Sequence, residues 1–280
     1  MQYARRLVFL GSLVALTVPL VHVHADAPAS AETFSSLGWP WRGHLARSVQ
    51  LPESSSVRYS PHTVASANHY GTPELVGALS RAASRVSAVA PGATLTVGEL
   101  SAQGGGEIHG HRSHENGRDV DVAFYVRDAA GAPLRRDHFE DVGRSGQVLV
   151  RGEPEADVHF DDARNWDFIE ALLRDPKARV QYVFVGRWLR ARLLDQAASR
   201  HVSPLLLEAA AHTLLEPVDG DPHRDHFHVR VFCADRDRTP DAGGRPRCRD
   251  KAPFWPWLPG LGPPPFSMRD RAAALAATFD

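Results

Sequence analysis

Two short runs of alternating polar and apolar residues constrain this chain more than any other feature: Asp119-Val120-Asp121-Val122-Ala123 and His226-Phe227-His228-Val229-Arg230-Val231-Phe232. Period-2 alternation is the signature of a half-buried strand, and it puts residues two apart on the same side of a sheet. Asp119, Asp121 and Ala123 therefore share one face, and His226 and His228 look into the same space. If the two strands are neighbours, with Gly117 letting the preceding loop turn back, His114 and Asp121 can meet His228 at the roughly 2 Å range of zinc ligation.

The residue types around these strands fit that geometry. The runs Gly110–Asp121 and His223–His228 hold five of the chain's 15 histidines. Catalytic zinc takes three protein ligands from His, Asp or Glu and keeps a fourth position for water. His114, Asp121 and His228 are the expected ligands of one catalytic zinc ion. His226, two residues before a ligand and on its face, is the first candidate to hydrogen-bond the water or the developing oxyanion. His223, in the loop entering the strand, is expected to act as the base or to orient His226. His111 is placed beyond the ligands or at the rim, and Asp119 as a hydrogen-bond partner of a ligand. A lone His-x-His is more often structural than metal-binding, and the His and Asp seven residues apart in the other run are what raise it. Gly104-Gly105-Gly106 is not a phosphate loop, since no Lys-Ser/Thr follows.

These residues resemble the penicillin-insensitive murein endopeptidases, within the wider lysostaphin, D-Ala-D-Ala metallopeptidase and hedgehog group. The resemblance also takes in Tyr70–Val76, Val97–Ser101 and Cys233, and runs over roughly residues 50–250. It implies a zinc peptidase that cuts D-alanyl cross-links between peptidoglycan stem peptides, with His114, Asp121 and His228 at the family's ligand positions. His111, His223 and His226 match further family histidines near the metal. A second ion at a subunit contact, and hence a homodimer, is known in the family; its ligand region falls at Arg136–Asp162, where Asp157 and His159 are weak candidates. The other readings are a D-Ala-D-Ala carboxypeptidase, an LD-endopeptidase, or a non-catalytic zinc-stabilised wall-binding module. The histidines beyond the three ligands argue against the last, because a structural site closes its fourth position with protein.

The chain's organisation suits an exported enzyme. Arg5-Arg6, the apolar run Leu7–Val21 and Val23-His24-Ala25 read as a signal peptide over residues 1–25, sending the protein to the periplasm. That run is shorter than the roughly 20 residues needed to span a bilayer, so no membrane span is expected after cleavage. A net charge of -1, from 32 basic and 33 acidic residues, gives no global field for nucleic acid or a membrane surface. Residues 26–50 read as an irregular arm, 51–235 as the zinc peptidase domain and 236–280 as a Pro/Arg-rich tail. Cys233 and Cys248, in an oxidising compartment, are expected to form a disulfide.

Periodicity predicts helices at Pro73–Val89, Arg164–Arg174, Trp188–Ala198 and Pro204–Leu215, and strands at Thr94–Leu100, Asp119 onward, Val180–Val185 and His226–Cys233. Alternation of elements alone allows a parallel α/β sheet. The resemblance implies instead an α+β fold, a small central antiparallel sheet of about four strands flanked by helices, with the zinc site on one sheet face. The proline-rich tail reads as an extended strap, with a wall-binding patch at Trp255 and Trp257 as the less favoured alternative and a short helix at Ser267–Thr278.

Overall fold

The two alternating runs are hydrogen-bonded neighbours. Strands Asp119–Ala123 and His226–Val231 pair antiparallel in a register that sets His228 opposite Asp121, Arg230 opposite Asp119 and His226 opposite Ala123. The computed structural model describes residues 35–218 and 220–255, so the expected signal segment, Trp257 and the Ser267–Thr278 helix lie outside the described residues.

The fold is α+β, and the central sheet is larger than expected. It has six strands, in the order Leu214–Leu215, Val180–Phe184, His226–Val231, Asp119–Ala123, Leu95–Val97 and Val57–Tyr59. The inner four are the ones that periodicity predicts. The outer two correct the expectation of a four-stranded, wholly antiparallel sheet, because each pairs in parallel with its neighbour. They are two and three residues long, too short to show a period of 2. A second, five-stranded antiparallel sheet is built between Val126 and Phe160. Its longest strand, Glu153–Phe160, buries only Val158 and Phe160, at its end, so no sustained apolar alternation announces it.

Helices cover the sheet where the apolar stripes fall. Pro73–Val89 starts with Thr72 accepting a hydrogen bond from the Leu75 amide and with proline in its first turn, where no amide partner is needed. It buries Leu75, Val76, Leu79, Ala82, Ala83 and Val86, each Leu or Val contributing about 1.5–3 kcal/mol by leaving water. Asp162–Leu173 packs beside it and adds Trp166, Phe168 and Ile169 to the same core as Phe227. Pro204–Thr213 ends before Leu214 because Leu214–Leu215 turns to pair with Val183–Phe184.

Peripheral segments brace the loop that leads into the Asp119 strand. Residues 36–45, read from sequence as irregular, form a hairpin of Ser36–Trp39 and Arg42–Leu45. The Glu115 amide donates to the Pro40 carbonyl, and the Leu45 amide to that of Gly104. Cys233 and Cys248 are disulfide-bonded. Past the disulfide, buried Arg118 donates to Asp250 and to the Arg249 carbonyl. Trp255 is buried, its indole donating to the Gln181 carbonyl, so this tryptophan packs rather than presenting a surface. Among the described residues no helix is long and apolar enough to cross a membrane.

Candidate metal centre

Asp121 sits in the middle of the central sheet, and its carboxylate is ringed by imidazoles. His114 reaches it from the preceding loop with a backbone φ of +74°, a left-handed conformation uncommon for a residue other than glycine. The loop can return because Gly117, at φ +75°, passes so close to Leu45 that an added Cβ would lie 2.6 Å from that side chain. Nε2 of His114 then lies 3.4 Å from Asp121 Oδ2. From the paired strand, Nδ1 of His228 lies 2.9 Å from Asp121 Oδ1.

The outward nitrogen of each ring is occupied. His114 Nδ1 is 2.8 Å from the Leu100 carbonyl oxygen, which can only accept, so Nδ1 carries the proton. His228 Nε2 is 2.9 Å from Asp119 Oδ1, which also accepts from Arg230 Nε at 2.6 Å. Asp119 thus fixes the ring of His228 and leaves its Nδ1 aimed inward, the arrangement by which a carboxylate orients a metal-binding histidine.

Two further histidines complete the ring. His111 Nδ1 is 3.5 Å from Asp121 Oδ2, and its Nε2 is 2.6 Å from Glu99 Oε2. His226 Nε2 is 3.6 Å from Asp121 Oδ1, and its Nδ1 is 2.7 Å from Asp225 Oδ1. The ligand atoms of His111, His114 and Asp121 all lie within 4.8 Å of one another, a cluster able to hold a metal ion. This triplet shares His114 and Asp121 with the expected set and has His111 where the sequence puts His228. His228 is nevertheless the nearer to Asp121 and the more buried.

The donor set fits a cation. His114 Nε2 and Asp121 Oδ1 are buried without a hydrogen-bond partner. The close approach of imidazoles to Asp121 is therefore one of distance and not of hydrogen-bond alignment. An unsatisfied buried polar atom costs about 1–3 kcal/mol, and a shared divalent ion satisfies both atoms together. Neutral imidazoles with one carboxylate are the N/O donors that zinc accepts.

Charge follows the same layout. Burial alone would raise the Asp121 carboxyl, but His114, His226 and His228 hold it well below the usual carboxylate range. Asp119 is likewise buried and is pulled down by Arg230 and His228. Burial opposes charge on His228, yet Asp121 and Asp119 push it up to about 9. Burial also opposes charge on His226, which Asp121 and Asp225 raise. His223 goes the other way: burial, then His226 and His228, lower it to about 4. Burial would raise Glu99, but hydrogen bonds from His111, Ser66 and Asn68 bring it down to about 2.

His223 lies across the site, its ring centroid 4.9 Å from that of His226 and 5.7 Å from that of His228. Its Nδ1 is 2.6 Å from the Asp221 carbonyl oxygen, and its φ is +49°. The ligand atoms open on a cleft of about 440 Å³ whose walls include Trp41, Arg112, Tyr182 and Phe184. A larger cavity of about 700 Å³ lies elsewhere, around Arg127 and Asp161. There Asp161 and Asp167 are already paired with Arg164 and Arg200, so it offers no comparable set of unsatisfied groups.

The structure thus brings His111, His114, Asp119, Asp121, His223, His226 and His228 together. Asp157 and His159 lie instead on the Glu153–Phe160 strand of the other sheet. Sequence reasoning missed Glu99 and Asp225. The signal for Glu99 was a lone carboxylate in the otherwise uncharged stretch Leu95–Leu100, and for Asp225 its position between His223 and His226.

A family profile described as penicillin-insensitive murein endopeptidase matches residues 36–254. Proteins of that name are similar to the chain in Haemophilus influenzae, at 26% identity over 166 residues, 59% of this chain, and in Escherichia coli O157:H7, at 25% over 237 residues, 81% of this chain. The protein of that name in Shigella dysenteriae serotype 1 is also 25% identical over 237 residues. The matched region spans 52% of the length of the H. influenzae protein and 76% of the E. coli and S. dysenteriae proteins.

Proposed function

The chain belongs to the penicillin-insensitive murein endopeptidase family, and from that premise we propose that it is a zinc-dependent peptidase hydrolysing D-alanyl cross-links between peptidoglycan stem peptides. One observation carries this reading. Two imidazoles, each with its outward nitrogen anchored, aim their other nitrogen at a buried carboxylate, and two atoms of that group have no hydrogen-bond partner.

His114 Nε2, Asp121 and His228 Nδ1 hold the ion. When bound, it supplies Lewis acidity to the scissile carbonyl and acidifies water towards a pKa of about 7. The chain's own residues manage the proton and the oxyanion. His223 donates from Nδ1 to the Asp221 carbonyl, which leaves Nε2 as an acceptor, and its lowered pKa keeps it neutral at pH 7. It is the general base. His226 is paired with Asp225, which favours the imidazolium form, so it donates a hydrogen bond to the developing oxyanion. Two histidines driven apart in pKa by their surroundings are thereby given opposite roles. No serine nucleophile takes part, so inhibitors that acylate serine leave the reaction untouched.

The site sits in a cleft, as a peptide substrate requires, and the three histidines beyond the ligands, His111, His223 and His226, line it, which favours an enzyme over a wall-binding module. Periplasmic location, through the N-terminal signal segment, puts the protein where its substrate is. Purified protein incubated with cross-linked muropeptides, with and without chelator, tests the reading. Chelator-sensitive conversion of dimers to monomers supports it. A product mass showing loss of terminal D-alanine instead indicates a carboxypeptidase, and fragments cut at an L,D bond indicate an LD-endopeptidase.

A further inference from the structure

The second sheet reaches the site through one aromatic ring. Phe139 lies between the strands Pro133–Leu134 and Asp141–Val142, both of that sheet. It stands outside the apolar core cluster to which Phe124, Phe160 and Phe227 belong. Its ring lies instead flat against the imidazole of His226, with centroids 4.8 Å apart and an interplanar angle of 19°.

Gly98 makes the place for that ring. A Cβ added at residue 98 would come 2.5 Å from Phe139 Cζ, so the ring fits only because this residue has no side chain. The Gly98 amide donates to the Asp121 carbonyl at 2.8 Å. The far end of Phe139 therefore rests on backbone bonded to the Asp121 strand, while its face covers His226.

The same segment is fastened to the loop that carries His223 and His226. The Val142 amide donates to the Arg224 carbonyl at 2.8 Å, and Arg224 Nε pairs with Asp141 at 3.2 Å. From behind, the Trp188 indole donates to the Val142 carbonyl at 3.1 Å. Asp225 grips His226 Nδ1 at 2.7 Å, which fixes one edge of the imidazole. A hydrogen bond at one nitrogen does not by itself fix the ring plane, and a stacked aromatic face does. Held both ways, His226 keeps Nε2 on the side of Asp121, 3.6 Å from Oδ1. The negative face of the phenyl ring also suits a cationic imidazole.

We propose, resting on the role assigned to His226 above, that Phe139 is a positioning residue: it sets the plane of the His226 imidazole so that Nε2 meets the developing oxyanion. The second sheet thereby becomes a support of the catalytic site.

The test uses full-length protein with Phe139→Leu and Phe139→Met, which keep an apolar side chain over Gly98 but present no ring face. Each should lower kcat on cross-linked muropeptides about 10- to 100-fold, the cost of a misdirected catalytic group, with KM and zinc content as in wild type. In the His226→Ala background the same substitutions should lower kcat no further, because nothing is left to position. Ring-carbon NMR relaxation of the zinc-free protein should show the His226 ring loosened in both variants and the His228 ring unchanged. Wild-type kcat in both variants overturns the proposal, as does a His226 ring that stays rigid. So does a fall in kcat that persists undiminished without His226, or one matched by loss of zinc, since either marks a merely structural side chain. Wild-type protein that leaves muropeptides uncut, or a His226→Ala protein as active as wild type, overturns the underlying reading instead and this inference with it.

Discussion

Asp121 and His228 face each other across the central strand pair, with Oδ1 of one 2.9 Å from Nδ1 of the other. The contact is a consequence of register. A slip of one residue would turn His228 to the other face of the sheet and bring Phe227 or Val229 to the carboxylate. Burial of Val120, Val122, Phe227 and Val229 on the opposite face penalises such a slip, so the core that stabilises the fold also aligns the ligands.

The paired substitutions His228→Ala and His226→Ala should separate binding from chemistry. The first removes an inward nitrogen and should abolish both bound zinc and activity. The second should retain zinc, measured by elemental analysis, and lower kcat by about 10²–10³ through loss of an oxyanion donor. Equal zinc content in the two variants would contradict these assignments.

His223→Ala should lower kcat by about 10²–10⁴, the range for a positioned general base. Zinc content should stay at the wild-type level. A variant with full turnover would remove His223 from the reaction.

Stability of the zinc-free protein should depend on pH through shifted groups of opposite sign, among them His228 and Glu99. His228 is raised from 6.5 to about 9, so its contribution is complete below pH 6.5 and is lost as pH rises through about 9. Glu99 is lowered from 4.5 to about 2, so its contribution is complete above pH 4.5 and is lost as pH falls towards about 2. Thermal melts of the zinc-free protein should therefore fall off on both sides, with His228→Gln flattening the alkaline limb and Glu99→Gln the acid limb. Limbs unchanged by both substitutions would contradict the shifts.

Replacing both cysteines with serine should cost about 3 kcal/mol, the loop-entropy value for a closed loop of this length, since Cys233 and Cys248 are separated by 15 positions. Chemical denaturation measures it. The segment beyond Cys248 carries the Arg249 carbonyl and the Asp250 carboxylate that hold Arg118, so the variant should also bind zinc less tightly.

The strands carrying the site are readable in sequence because their two faces differ in chemistry although both are buried. One packs Val120, Val122, Phe227 and Val229 into the core and the other gathers Asp119, Asp121 and His228 at the site, so that alternation appears without the half-burial expected from sequence. Asp119, Asp121, His226 and His228 fall on the predicted faces for that reason. The helix Pro73–Val89 is equally readable, since its proline, its cap at Thr72 and its apolar stripe agree. What sequence does not carry is pairing by short or exposed segments. Val57–Tyr59 and Leu214–Leu215 are too brief to show a period, and the hairpin at residues 36–45 is held by hydrogen bonds to distant loops. The roles of Glu99 and Asp225 are hidden in the same way, because a carboxylate that orients a histidine is recognisable only once the fold brings the two together.

The most direct test is a crystal structure of the zinc-loaded protein with anomalous data at the zinc edge. The account predicts one strong peak bonded to His114 Nε2, the Asp121 carboxylate and His228 Nδ1, with His226 and His223 beside it. Absence of a peak there, or coordination that leaves out His228, would contradict it.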